Sequence, residues 1–152
     1  MHLLRSFWLL VFALLAASIA GGAVSQADST TTVTLNLTKY SKVEHASAGD
    51  YVGVSPGIVT MHVGDHVVFV NGDTRHHTAT FIAGSSTFPA EPRWGADQLK
   101  PNGSIGGAAW STGDLGPGAR SSPLAATKPG TYLYGCFFDY SAGMRGVIVV
   151  EP

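Results

Sequence analysis

Tyr134-Gly135-Cys136-Phe137-Phe138-Asp139-Tyr140-Ser141-Ala142-Gly143-Met144-Arg145-Gly146 is the stretch on which the reading of this chain turns. Thr131-Tyr132-Leu133-Tyr134 leads into it and Gly146-Val147-Ile148-Val149-Val150 leaves it; both runs are rich in β-branched and aromatic residues. The spacing therefore predicts a loop joining two strands. That loop holds the chain's one cysteine, with a methionine eight residues further on. A single cysteine excludes an internal disulfide and any multi-cysteine zinc or iron–sulfur site within one chain.

Working outward, Val33, Leu35 and Leu37 alternate with Thr34, Asn36 and Thr38, the period of a half-buried strand. Tyr51-Val52-Gly53-Val54 before Ser55-Pro56-Gly57 reads as a short strand and turn. Ile58–Val63 is a second apolar run, closed by the turn Gly64-Asp65, after which His66-Val67-Val68-Phe69-Val70 begins another strand. Asn71-Gly72-Asp73 breaks it, and Thr78-Ala79-Thr80-Phe81-Ile82 resumes extended structure. No segment after residue 27 has a helical period. Several short strands separated by turns predict an all-β fold, a two-sheet antiparallel sandwich. Positions 84–130 interrupt it: they hold 15 of the 27 glycines and prolines taken together, with Trp94 and Trp110. This is a long irregular insertion with room for a strand within Ser121–Thr127, and the tryptophans are expected to anchor it.

Residues 1–27 read as an address. His2 and Arg5 precede an apolar run from Phe7 to Ala20, and Ser25-Gln26-Ala27 satisfies a small-x-small cleavage rule. The run is short for a membrane span, which needs ~20 residues. A secretory signal peptide over 1–27 and a mature domain over 28–152 are expected, periplasmic or secreted and without stable membrane insertion; the alternatives are cleavage after Ala23 and an uncleaved anchor. Nine Lys and Arg against ten Asp and Glu exclude a strongly basic nucleic-acid or membrane-surface binder.

Cysteine and methionine are soft sulfur donors that suit copper, and Phe69-Val70-Asn71-Gly72-Asp73-Thr74-Arg75-His76-His77-Thr78-Ala79-Thr80 offers imidazoles after a strand. Here the chain resembles the cupredoxins of the plastocyanin type. That family pairs a V-x-F-x-N-x-D-x-x-x-H-T-x-T strand motif, matched by Val67–Thr80, with a Y-x-C-x-x-H-x-x-x-G-M-x-G-x-I-x-V loop and strand, matched by Tyr134–Val150 apart from one position. The resemblance implies a Greek-key cupredoxin-like β-sandwich with His77, Cys136 and Met144 as ligands of one copper ion. It departs from the family where the second histidine should stand three residues after the cysteine, because that residue is Asp139. Asp139 is either a fourth ligand or a solvated acid beside a degenerate site. His76 should face away from Cys136, since neighbours on extended backbone point to opposite sides, although a turn after Asn71 could relax that rule.

The resemblance implies a non-enzymatic one-electron carrier, monomeric, meeting a redox partner protein. Copper binding or tolerance without fast electron exchange is the second reading, and a metal-free interaction domain the third. Asp139 should lower the reduction potential, because a thiolate and a carboxylate leave the Cu(I) site at −1. Zinc could also occupy a His-Cys-Asp set. His45, His62 and His66 lie outside the motif; His62 and His66 are expected at the surface, and Phe137, Phe138 and Tyr140 as an apolar collar or a docking face. A Cys-His-Asp hydrolase lacks any sign of an oxyanion hole, and no phosphate loop or paired catalytic carboxylates occur.

Overall fold

The computed structural model describes residues 28–40 and 52–152. The expected leader over 1–27, His45 and Tyr51 lie outside the described residues. Ten strands form two sheets: β1 (Thr30–Leu35), β2 (Val54–Ser55), β3 (Ile58–His62), β4 (His66–Asn71), β5 (Thr80–Phe81), β6 (Pro101–Gly103), β7 (Trp110–Thr112), β8 (Leu124–Ala125), β9 (Gly130–Gly135) and β10 (Arg145–Glu151). One sheet runs β2-β1-β4-β8 and the other β3-β10-β9-β5-β7-β6. The described residues hold no α-helix, only two 3-10 turns, Ala96–Leu99 and Tyr140–Ala142.

The expectation of purely antiparallel sheets is corrected, because both sheets are mixed. β1 runs parallel to β4, with Thr30 opposite His66 and Leu35 opposite Asn71. β10 runs parallel to β3, with Val147 opposite Ile58, while pairing antiparallel with β9. Parallel neighbours need a crossover. Between β1 and β4 it is supplied by β3, which lies in the opposite sheet.

The alternation read along β1 puts Val33 and Leu35 inward, and both are buried. They meet Val67 and Phe69 of β4, Val59 and Met61 of β3, Tyr132 and Tyr134 of β9, and Ile148 and Val150 of β10 in one core between the sheets. Trp110 joins that core, its ring stacked on Phe69 and Phe81. Burial of such side chains is worth roughly 1.5–3 kcal/mol each, so this layer dominates the stability.

The irregular insertion has a definite job. A second cluster, Ile82, Leu133, Tyr140 and Val147, lies apart from the main core and is covered by Phe88 and Trp94 of the insertion. The Trp94 indole N–H donates to the Phe81 carbonyl at 2.8 Å, and the Tyr140 hydroxyl donates to the Pro89 carbonyl at 2.7 Å. β9 is consequently buried from Tyr132 through Gly135, on successive side chains of both faces. The strand that delivers Cys136 is thus enclosed on both faces over its second half.

Candidate metal centre

Two segments meet at one end of the sandwich. The first follows β4. The Asn71 side chain, fully buried, accepts from the Asp73 N–H at 2.9 Å and donates to the Arg75 carbonyl at 2.7 Å and the Leu115 carbonyl at 2.8 Å. This is an Asx-type turn closed by its own side chain. His77 then pairs in both directions with the backbone of Leu115. The turn delivers His77 inward, while His76 stays exposed and bonds Asp114 at 2.8 Å. His76 does not join the site.

The second segment is the loop after β9. Its neck is closed by the Cys136 N–H donating to the Met144 carbonyl at 3.0 Å, and the Asp139 carbonyl accepts from the N–H groups of Ala142 and Met144. Gly143, at φ +89°, ends the 3-10 turn in a left-handed conformation that a side chain would oppose. The Phe137 N–H is held by the Thr78 hydroxyl at 2.8 Å, which ties this loop to the His77 segment.

The outcome is a buried constellation of His77, Cys136 and Asp139, whose donor atoms all lie within 4.8 Å of one another. His77 Nδ1 is 3.6 Å from Cys136 Sγ and 3.2 Å from Asp139 Oδ2, and Sγ lies 3.8 Å from Oδ2. Zinc-type bond lengths of about 2.0–2.3 Å in tetrahedral array would separate such donors by roughly 3.4–3.6 Å, so the three residues fit around one ion with shifts of a few tenths of an ångström. Relative exposures are 0% for His77, 1% for Cys136 and 7% for Asp139, with Met144 at 0%. Asp139 is therefore not the solvated loop acid of the alternative reading. Met144 packs in the same apolar cluster as Cys136. Its side chain is pressed by Gly53, where a Cβ would stand 2.8 Å from Met144 Cγ.

The electrostatics of the cluster follow from its burial. Burial pushes the Cys136 thiol up, and the nearby Asp139 carboxylate adds to the rise, against the N–H groups of Thr78, Asp139 and Phe138 that favour the thiolate. A bound cation would reverse this by deprotonating the thiol. Two residues that the sequence reading did not single out complete the surroundings. Asp73 Oδ2 lies 3.0 Å from His77 Nε2. Burial raises the Asp73 carboxyl, but hydrogen bonds from His77, Thr38 and Thr74 outweigh it and hold the group well below the usual carboxylate range. Arg75, with its side chain 64% exposed, places Nη2 3.5 Å from Asp139 Oδ1. Asp73 stands inside the motif Val67–Thr80, but spacing alone did not show that it reaches the far nitrogen of His77.

His62 and His66 lie on strands, partly exposed, away from this centre. Phe137 is half-buried against Trp94, Tyr140 is buried, and Phe138 stands out at 44% exposure.

No protein-family model matches the chain, and no curated protein matches it either. Among solved structures the chain is similar to a purple cupredoxin from Nitrosopumilus maritimus, at 16% identity over 79% of this chain and 98% of that one, with a TM-score of 0.48. It is also similar to a variant of amicyanin in its reduced Cu(I) form at pH 4, at 22% identity over 84% and 87% of the two chains, with a TM-score of 0.49. A second amicyanin variant in its reduced state aligns at 26% identity over 62% and 70%, with a TM-score of 0.43.

Proposed function

We propose that the protein is an exported cupredoxin-like copper protein, without enzymatic activity, that carries single electrons to and from a partner protein. The observation that carries this reading is the convergence of the His77 imidazole, the Cys136 thiol and the Asp139 carboxylate inside 4.8 Å, fully enclosed. Met144 would supply a weak thioether donor. A nitrogen, a thiolate and a thioether are the donor set that suits copper in both oxidation states, and the hydrogen-bonded turn and loop that hold them limit movement between the two. Bound copper would supply the Cu(I)/Cu(II) couple. His77, Cys136 and Met144 would fix the geometry and exclude water. Asp139 adds a charge that favours the oxidised state, which places the potential below that of an ordinary His-Cys-His-Met site. Export rests on the reading of residues 1–27.

The second reading is copper binding without fast electron exchange. It is favoured by the burial of all four candidate ligands, which leaves no ligand edge at the surface through which an electron would leave.

One equivalent of Cu(II) added to the purified mature protein should produce a strong thiolate-to-copper band that is lost in Cys136→Ala. A colourless protein would overturn the copper reading, and zinc bound in its place would redirect it. Reversible cycling of the band with a mild reductant separates the carrier from the second reading.

A further inference from the structure

We propose that Asp73 is a positioning residue for this centre, holding the Nε2–H of His77 so that the Nδ1 lone pair faces Cys136 and Asp139. The inference rests on the metal-binding reading above. Nε2 and Asp73 Oδ2 are 3.0 Å apart, and the two side chains are 0% and 1% exposed. The opposite ring nitrogen is the one that lies 3.6 Å from Cys136 Sγ and 3.2 Å from Asp139 Oδ2. One ring therefore links the candidate ligands to a carboxylate behind them. A ligating imidazole is fixed in tautomer and rotation by what its other nitrogen donates to, and a carboxylate is a strong acceptor for that proton.

Asp73 is itself held from every side. Its Oδ2 accepts from the Thr38 N–H at 3.1 Å, and its Oδ1 accepts from the Thr38 hydroxyl at 2.9 Å and the Thr74 N–H at 2.7 Å. Its own N–H donates to Asn71. An ionised carboxylate can accept all of these contacts. An amide cannot, since one of its two heads is a donor. Asp73→Asn therefore either turns its oxygen to His77 and sets its NH2 against the Thr38 hydroxyl and the Thr74 N–H, or turns its NH2 to His77. The second outcome favours the tautomer with the proton on Nδ1, which blocks the ligand atom.

A purely structural role, with Asp73 only anchoring Thr38, predicts lost stability and an unchanged centre. Co(II) binding to the full folded protein separates the two, measured by chelator competition on the thiolate-to-Co(II) band. Proton NMR of the Co(II) form in water adds a direct reading of the imidazole N–H, which appears as a shifted, exchangeable signal. The wild type should show that signal protected from exchange, and Asp73→Asn should bind Co(II) about 10–100-fold more weakly, with the signal moved or lost. Equal affinity with an unmoved signal overturns the positioning role alone. A wild type that binds neither Co(II) nor Cu(II) overturns the metal reading as well. Should Asp73→Asn fail to fold, Thr38→Val tests the same link by loosening the carboxylate. It should weaken Co(II) binding several-fold and speed exchange of the N–H, and an unchanged affinity and exchange rate would refute the proposal.

Discussion

Arg75 supplies the sharpest test of the charge reasoning at the centre. With a thiolate and a carboxylate as ligands, the Cu(II) site is formally neutral and the Cu(I) site carries −1, so a nearby cation stabilises the reduced form selectively. Arg75 Nη2 is 3.5 Å from Asp139 Oδ1. An ion bonded to the far oxygen of that carboxylate would lie roughly 6 Å from the guanidinium, given metal–oxygen bonds of ~2 Å. Coulomb's law at that separation gives about 3 kcal/mol with an effective dielectric of ~20 and about 0.7 kcal/mol with ~80. Because Arg75 is mostly exposed, the lower part of that range applies. For a one-electron couple, about 0.7–1.4 kcal/mol is roughly 30–60 mV. Arg75→Gln should lower the potential of the copper-loaded protein by that amount, read by spectroelectrochemical titration of the thiolate band at low ionic strength. In ~1 M salt, where the screening length falls to ~3 Å, the difference should shrink to less than half. A potential that is unchanged or raised at low salt would refute the argument, and a drop of equal size at high salt would show that something other than screened charge is responsible.

Asp139→His should convert a green or red, low-potential centre into an intense blue one of higher potential; visible spectra identical to wild type would place Asp139 outside the coordination sphere. Tyr134→Phe removes a buried hydroxyl with no hydrogen-bond partner among the described residues, so the variant should match or exceed wild-type stability by about 1 kcal/mol in urea unfolding. A clear loss would reveal a partner such as a bound water. Gly53→Ala introduces a side chain at φ +75° that meets Met144 Cγ at 2.8 Å, and it should cost about 2–4 kcal/mol in the same assay, from left-handed strain plus overpacking. Asp65 is held at about 2 by the N–H groups of His62 and Ser29, against an ordinary value of 3.8. Its stabilising effect is full above pH 4 and disappears as pH falls through 2, so Asp65→Asn should flatten the acid limb of the stability profile over that window.

Much of the architecture is legible in the strands themselves. Val33 and Leu35 announce a buried face by alternation, and the runs 66–70, 131–134 and 146–150 lie within the strands observed there. Strand direction is not legible in the same way. A period of two tells which face is buried, and says nothing about whether the neighbour across the ladder runs with or against it. The parallel pairings of β1 with β4 and of β3 with β10 are accordingly invisible in the sequence. β6 is hidden for another reason: Pro101-Asn102-Gly103 has poor strand propensity and is held extended by pairing with β7. At the centre, the resemblance to a known family points to His77, Cys136 and Asp139, because each sits at a position of that family's motifs. Asp73 and Arg75 act through the far nitrogen of an imidazole and the outer oxygen of a carboxylate. Those contacts depend on how Asn71 folds the turn, which is a matter of three-dimensional geometry rather than of spacing.

The lodging of β10 between β3 and β9 has a consequence for the order of assembly. Among the described residues β3 has no other neighbour in its sheet, so it stays unpaired until the chain has been made through Val147 and beyond. Contacts of such long sequence separation form late and slowly. Cys136 and Asp139 are synthesised long after His77, and the neck that joins Cys136 to Met144 closes only when β10 docks. An ion that encountered the nascent chain would first find the His77 imidazole with no thiol beside it. The finished fold brings the three donor atoms within 4.8 Å of one another. The donor set is therefore complete only once the last strand is in place.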